Sequence, residues 1–406
     1  MLQLILELLL ETMNQPPKKQ NRTSNGRNKS NFTGLLALLF TITFSLPALS
    51  QSTDEVISRS KKLIDEEKYQ EAMSLLTKAI KADPQDTVLL FERGDLRFLL
   101  QNYYGAAGDF GFIIDIDSAN ANAYNKRGLA IHYNGDPELA IEDFSMAIKL
   151  NSKFADAYSN RGFALYALGA NEDAYFDFSK AIELEPQNPD LYYNRGFVRS
   201  DLGEFVGAID DFNKSIELDS LDPESYKLRA DAEYQLGSLD VALEDYNMSI
   251  SLDSLDELKF ASRALVYSEL EKYEESIDDY TRAIELFEEE YQPDPELYNL
   301  RGVVFYSAQK YDEAIGDYTT AINLEPAAPL LYENRAAAYF EKGNFKESEQ
   351  DYTVAINLDP DDPENYYFRS QAKFEQGNKL DGCLDLKQAV ERGLVEAKKE
   401  LKEKCK

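Results

Sequence analysis

An arginine and an aspartate stand sixteen residues apart at nine places in this 406-residue chain, from Arg93 with Asp109 to Arg369 with Asp385. A guanidinium and a carboxylate can share a two-pronged, charge-assisted hydrogen bond. A recurrent buried pair of this kind fixes how two segments align more reliably than it adds net stability. We read the series as structural; the competing chemistry is an anionic ligand held on the arginines. The series fails once, where Arg59 has Leu75 opposite it. Other reactive side chains are sparse. His132 is the single histidine, so neither a His-rich metal site nor a Ser-His-Asp relay is expected. Cys383 and Cys405, the two cysteines, stand in neither a C-x-x-C nor a zinc-ligand spacing. The Asp-rich stretch 359–362 lacks the glycine and distal glutamate of a calcium loop. The chain therefore carries no sign of an enzyme, a cofactor or a metal site.

The elements that must bring each Arg to its Asp follow from a repeat. Tyr124, Tyr158, Tyr192 and Tyr226 are each 34 residues apart, Phe260 continues the series, and Tyr298, Tyr332 and Tyr366 resume it after four extra residues. Leu90 and Val56 extend it upstream. With this slot numbered 4, slot 8 is always small (Gly94, Gly128, Gly162, Gly196, Ala230 and onward), and so is slot 20 (Ala106, Ala140, Ala174, Ala208, Ala242). Slot 24 is large, with Phe110, Phe144, Phe178, Phe212 and Tyr246. Spacings of 3, 4 and 7 are those of a helix face, and Gly135, Gly169 and Gly203 mark a turn midway through their units. Pro84, Pro186, Pro326 and Pro360 stop the second helix. Each unit is helix, turn, helix. Arg lies midway along the first helix and Asp midway along the second, so antiparallel packing can join them.

These slots resemble those of the tetratricopeptide repeat, with a large residue at 4, small residues at 8 and 20, an aromatic at 24 and proline at 32. The resemblance implies an all-α fold, an α-solenoid of ten helix-turn-helix repeats forming a right-handed superhelix with a C-terminal cap helix. A single unit cannot bury its apolar face alone, and stacking supplies the continuous core. The solenoid is expected over residues 51–396, with units at 53–86, 87–120, 121–154, 155–188, 189–222, 223–256, 257–294, 295–328, 329–362 and 363–396; residues 397–406 form the C-terminal part of the cap. The insertion at 285–291 should lengthen the second helix of the seventh unit and alter local curvature. Cys383 and Cys405 should be neighbours, either as a disulfide or as two buried thiols.

In that family, slots 2, 5, 6, 9, 12 and 13 face a concave groove. Units three to five place Asn125, Leu129, His132 and Tyr133, then Ser159, Asn160, Phe163 and Tyr166, then Tyr193, Asn194 and Phe197 there. His132 is expected as groove wall. Amides can pair with both the N–H and the C=O of an extended peptide, and the aromatics offer apolar seats for its side chains. Asn160, Asn194 and Asn334 match a slot-6 asparagine that the family uses to hold a peptide backbone. The lysine and asparagine clamp of chaperone-binding relatives is not reproduced, since slot 2 is mostly acidic, as at Asp156, Asp190 and Glu224. The expected function is a scaffold or adaptor that binds a peptide or protein in this groove. The alternative is a structural component of a cell-envelope assembly or secretion complex, working through the convex face or the ends.

A net charge of −31 repels phosphate backbones and anionic lipid headgroups, so no nucleic-acid partner is expected. Residues 13–29 are basic with no acidic residue, and Phe32 to Leu46 is nearly all apolar. With small residues before Gln51, residues 1–50 look like a bacterial secretory signal cleaved after Ser50, or an uncleaved signal anchor. The protein is then periplasmic or secreted, and touches a membrane only if the anchor stays.

Overall fold

A computed structural model describes residues 52–406; the signal-like segment lies outside the described residues. Those residues form 21 α-helices and no strand. Ten antiparallel pairs follow one another: α1 (Thr53–Asp65) with α2 (Tyr69–Ala82), α3 (Thr87–Leu99) with α4 (Tyr103–Ile116), α5 (Ala121–Tyr133) with α6 (Pro137–Leu150), α7 (Ala155–Ala167) with α8 (Asn171–Leu184), and α9 (Pro189–Asp201) with α10 (Phe205–Leu218). The second half continues with α11 (Pro223–Gln235) and α12 (Leu239–Leu252), α13 (Glu257–Glu269) and α14 (Tyr273–Glu290), α15 (Pro295–Ser307) and α16 (Tyr311–Leu324), α17 (Pro329–Glu341) and α18 (Phe345–Leu358), and α19 (Pro363–Glu375) and α20 (Lys379–Glu391). A last helix, α21 (Ala397–Lys404), closes the stack.

Local chemistry sets these boundaries. Asp86, Asn120, Asp222 and Asp362 each accept a backbone N–H from the first turn of the helix they precede, which satisfies donors that the helix itself leaves free. Proline begins α9, α11, α15, α17 and α19, where its missing N–H costs nothing. Glycine turns the chain between paired helices at Gly135, Gly169 and Gly203 with φ of +74° to +100°. In four units Glu67, Gln101, Glu271 and Gln309 take the same left-handed turn, with φ between 57° and 60°. There the stacked helices dictate a conformation that the side chain disfavours by about 1–2 kcal/mol.

Within a pair, the small slot-8 residue lies against the slot-24 ring. A Cβ on Gly128 would fall 2.8 Å from the Phe144 ring, and Phe110, Phe144 and Phe212 are fully buried. The nine Arg–Asp pairs all form. Arg161 Nε and Nη2 donate to the two Asp177 carboxylate oxygens at 2.7 and 2.8 Å, and Arg195 grips Asp211 in the same way at 2.9 and 2.6 Å. The guanidinium also reaches the preceding unit: Arg161 Nη1 donates to Ser145 Oγ, Arg229 to Asn213 and Arg335 to Thr319. Each such arginine thus ties two helices of its own unit to the second helix before it.

The insertion lengthens α14 to 18 residues where its neighbour α12 has 14. Four residues make close to one full turn, so the contact register survives. Arg301 still reaches Thr281 Oγ1 at 3.0 Å, now twenty residues upstream instead of sixteen. One contact changes. Tyr192 and Tyr332 donate to the carbonyls of Pro186 and Pro326, whereas Tyr298 donates to Glu288 Oε1 at 2.7 Å.

At the far end, α21 covers Leu386, Ala389 and Tyr366 with Ala397 and Leu401. Cys383 and Cys405 are bridged by a disulfide with Cα atoms 5.6 Å apart.

Candidate functional site

The groove is assembled from one face of α5, α7 and α9. Successive first helices lie side by side, so the same slots of units three, four and five converge. Asn125, Leu129, Asn160, Phe163, Tyr193 and Asn194 line a cavity of about 530 Å³, together with Lys126, Asp156, Ser159, Leu191, Glu185 and Asn188. Four other residues expected in the groove, His132, Tyr133, Tyr166 and Phe197, are not part of its lining. Tyr133 meets Phe98 edge-on at 5.3 Å and stacks on Tyr103 at 5.5 Å, and Tyr166 packs edge-on to Phe197 at 5.3 Å. The Tyr166 hydroxyl donates to Asp201, and burial together with this bond raises its pKa. His132 lies edge-on to Tyr133, and burial lowers its pKa, which favours the neutral ring.

The three cavity amides are not equivalent. Asn160 Nδ2 donates to Asn125 Oδ1 at 3.0 Å, and Asn125 is only 4% exposed, so this pair links two units as well as facing the cavity. Asn194 is 9% exposed as a residue and makes no side-chain hydrogen bond among the described residues, and its amide is not among the fully buried polar atoms, so it remains open to the cavity. Its stacking neighbour is Ser159, too short to play the part of Asn125. An amide without a protein partner can pair with a ligand. Phe163, 43% exposed, packs edge-on to Phe178 at 5.2 Å and gives the cavity an apolar wall.

Charge around the cavity is one-sided. Lys126 is held by Asp95 at 2.9 Å, while Asp156, Asp190 and Glu185 are exposed and form no ion pair among the described residues. Sequence slots did not single out Glu185 and Asn188 because they belong to the turn between units; Asn188 accepts the Asp190 N–H and so starts α9 beside the cavity.

The asparagine pairing recurs once more, where Asn334 Nδ2 donates to Asn299 Oδ1 at 2.9 Å in units eight and nine. Beside it Glu296 is half-buried. Burial and the nearby Asp294 raise its pKa to about 7 in spite of a bond from Asn299, with Glu325 adding to the rise. A carboxylate with a folded-state pKa above its unfolded one takes up a proton on folding, so stability falls as pH rises from about 4.5 to 7. Glu296→Gln should therefore be about 1–2 kcal/mol more stable than wild type at pH 8 and equal to it at pH 4, by urea unfolding midpoints. An equal difference at both pH values would contradict this.

Elsewhere Glu224, Asp253 and Asp256 bring carboxylate oxygens within 4.8 Å of one another. The fully buried Lys259 ammonium lies 2.9, 2.8 and 3.5 Å from them. Burial opposes the charge, yet the bonds to Asp253 and Glu224 raise the lysine to about 12. A lysine provides the positive charge at this cluster.

Family models match several of these helix pairs. The "TPR repeat" model matches residues 130–169, 164–203 and 302–343, and models of the tetratricopeptide repeat match 329–362 and 260–290. No curated protein matches the chain. Among solved structures, a tetratricopeptide repeat protein from Parabacteroides merdae ATCC 43184 is 21% identical, covering 62% of this chain and 99% of its own, with a TM-score of 0.46. YrrB, described as a TPR protein with an unusual peptide-binding site, is 24% identical over 47% of this chain and 96% of its own, at a TM-score of 0.41. The APC/C hetero-tetramer Cut9-Hcn1 gives 17% identity, 79% and 64% coverage, and a TM-score of 0.46.

Proposed function

Because this chain is a tetratricopeptide-repeat protein, we propose that it is a scaffold or adaptor that holds a peptide or protein in the groove of units three to five. Tetratricopeptide repeats typically serve as non-catalytic scaffolds for protein interaction. The observation that carries the groove reading is the cavity of about 530 Å³, lined by both the half-exposed Phe163 ring and an Asn194 amide that has no protein partner among the described residues. An extended peptide offers both a main chain for the amides and side chains for the apolar wall. The test is capture of a partner from the native envelope by wild type and by an Asn160→Ala/Phe163→Ala/Asn194→Ala/Phe197→Ala variant whose helical signal and melting are checked first. The groove reading expects the folded variant to lose the partner; equal capture refutes it.

The second reading, a structural part of an envelope or secretion assembly, draws support from the second helices. Tyr104 is 83% exposed and Phe112 60% exposed on α4, and Phe176 is 68% exposed on α8. Under that reading the quadruple groove variant still captures its partner. We also propose that the protein is exported, which fits either reading: residues 1–50 have the composition of a secretory signal, and disulfides such as Cys383–Cys405 persist in oxidising compartments like the bacterial periplasm.

A further inference from the structure

Acidic residues continue along the groove slots beyond the cavity, with Asp201, Glu269, Glu333 and Glu375 among them. The lysines in these slots from unit three onward are Lys126 and Lys227, and both are already neutralised, by Asp95 at 2.9 Å and Asp231 at 3.0 Å. Glu296 and Glu333 lie half-buried on this face and form no ion pair among the described residues; Glu333 is met only by the Asn365 amide at 2.8 Å. Half-burying a carboxylate without a cation is costly and favours the protonated forms of Glu296 and Glu333, so a cation placed on this face would restore their charged forms.

A bland account exists for part of this. Asp156 and Asp190 lie in the first turns of α7 and α9, where a negative charge suits the helix dipole. It does not extend to Glu185, which caps the C-terminus of α8 where the dipole disfavours an anion, nor to Glu333 beyond the first turn of α17. At the cavity Asp156, Asp190 and Glu185 share the lining with the apolar Leu129 and Phe163 and with Asn194, a residue more than nine-tenths buried whose amide has no protein partner among the described residues. Together these match a lysine or arginine side chain: its aliphatic stem would lie along Phe163 and Leu129, the Asn194 carbonyl would accept from the charged end, and the rim carboxylates would balance its charge.

We propose that the groove selects a cationic occupant, an extended segment of a partner protein that carries spaced lysine or arginine side chains. This rests on the groove reading above and adds the chemical class of the ligand.

The test uses three fluorescein-labelled nonapeptides with blocked ends and one shared framework, Gly-Ser-X-Leu-X-Leu-X-Ser-Gly, in which X is Lys, Gln or Glu, titrated with the full chain by fluorescence anisotropy. The Lys peptide is expected to bind roughly tenfold or more tightly than the Gln peptide at low salt, with the Glu peptide weakest. Asp156→Asn with Asp190→Asn should reduce the Lys-over-Gln preference severalfold, while Phe163→Ala should weaken the Lys and Gln peptides alike. If Lys and Gln peptides bind equally and both depend on Phe163, the groove stands and cation selection is refuted. Lys-peptide binding indifferent to all three substitutions is attraction to net charge alone and refutes both. No binding of any peptide at millimolar protein also overturns the proposal.

Discussion

Arg161→Met is expected to destabilise the middle of the solenoid by about 3–5 kcal/mol, because it leaves the buried Asp177 carboxylate without its counter-charge. The guanidinium meets Asp177 through two donors at 2.7 and 2.8 Å and also loses its bond to Ser145 in the preceding unit. The carboxylate side chain is only 8% exposed, so water cannot take over. Removing both partners, as Arg161→Met with Asp177→Leu, should restore most of the loss, since a buried ion pair exchanged for apolar groups of similar volume is often neutral. Lys180→Met, which removes a solvent-exposed pair with Glu183, should leave the urea midpoint close to that of wild type. Because a repeat array can open unit by unit, the effect is best read from amide hydrogen exchange in α7 and α8 together with the urea midpoint. Arg161→Met within about 1 kcal/mol of wild type would falsify the register role of the Arg–Asp series.

Loss of the disulfide should have the next largest effect. Cys383 and Cys405 are 22 residues apart in sequence, and closing a loop of that size restricts the unfolded chain by about 3 kcal/mol. Cys383→Ala with Cys405→Ala should therefore free α21, uncover Leu386 and Tyr366, and raise exchange in α19 and α20 while leaving α5 to α9 unchanged. The protein taken from its own compartment should show no thiol reactive to maleimide under denaturing conditions, with both cysteines labelled after reductant. Two free thiols in the native protein would contradict both the bridge and the export reading that draws on it.

The alignment of units was legible in the sequence because two constraints coincided: a sixteen-residue Arg–Asp spacing and small residues facing large rings can be satisfied together by stacked antiparallel helices. The third partner that seven of the nine arginines find was not singled out. It is written at slot 25 as Ser145, Ser179, Asn213, Asn247, Thr281, Thr319 and Thr353, a polar series that gains meaning only once the angle between neighbouring units is known. The turns at Glu67, Gln101, Glu271 and Gln309 were hidden for a related reason, since tertiary stacking overrides the preference of those residues.

The groove was legible in outline, and its internal hierarchy was not. Asn125, Asn160 and Asn194 look alike in sequence as amides for a peptide backbone. Stacking places slot 6 of one unit beside slot 5 of the unit before it, so Asn160 finds Asn125 and Asn194 finds only Ser159. Which amide is free for a ligand thus depends on the neighbouring unit. Tyr133, Tyr166 and Phe197 belong to aromatic clusters beside the cavity for the same reason: their rings meet rings from adjacent helices.

The measurement that bears most directly on the central claim is hydrogen–deuterium exchange of the protein with and without its captured partner. Binding in the groove should slow exchange in α5, α7 and α9, around Asn160, Phe163 and Asn194, and leave the outer face of α4 and α8 as it was. Slowed exchange confined to α4 and α8, around Tyr104, Phe112 and Phe176, with α5, α7 and α9 unchanged, would contradict it.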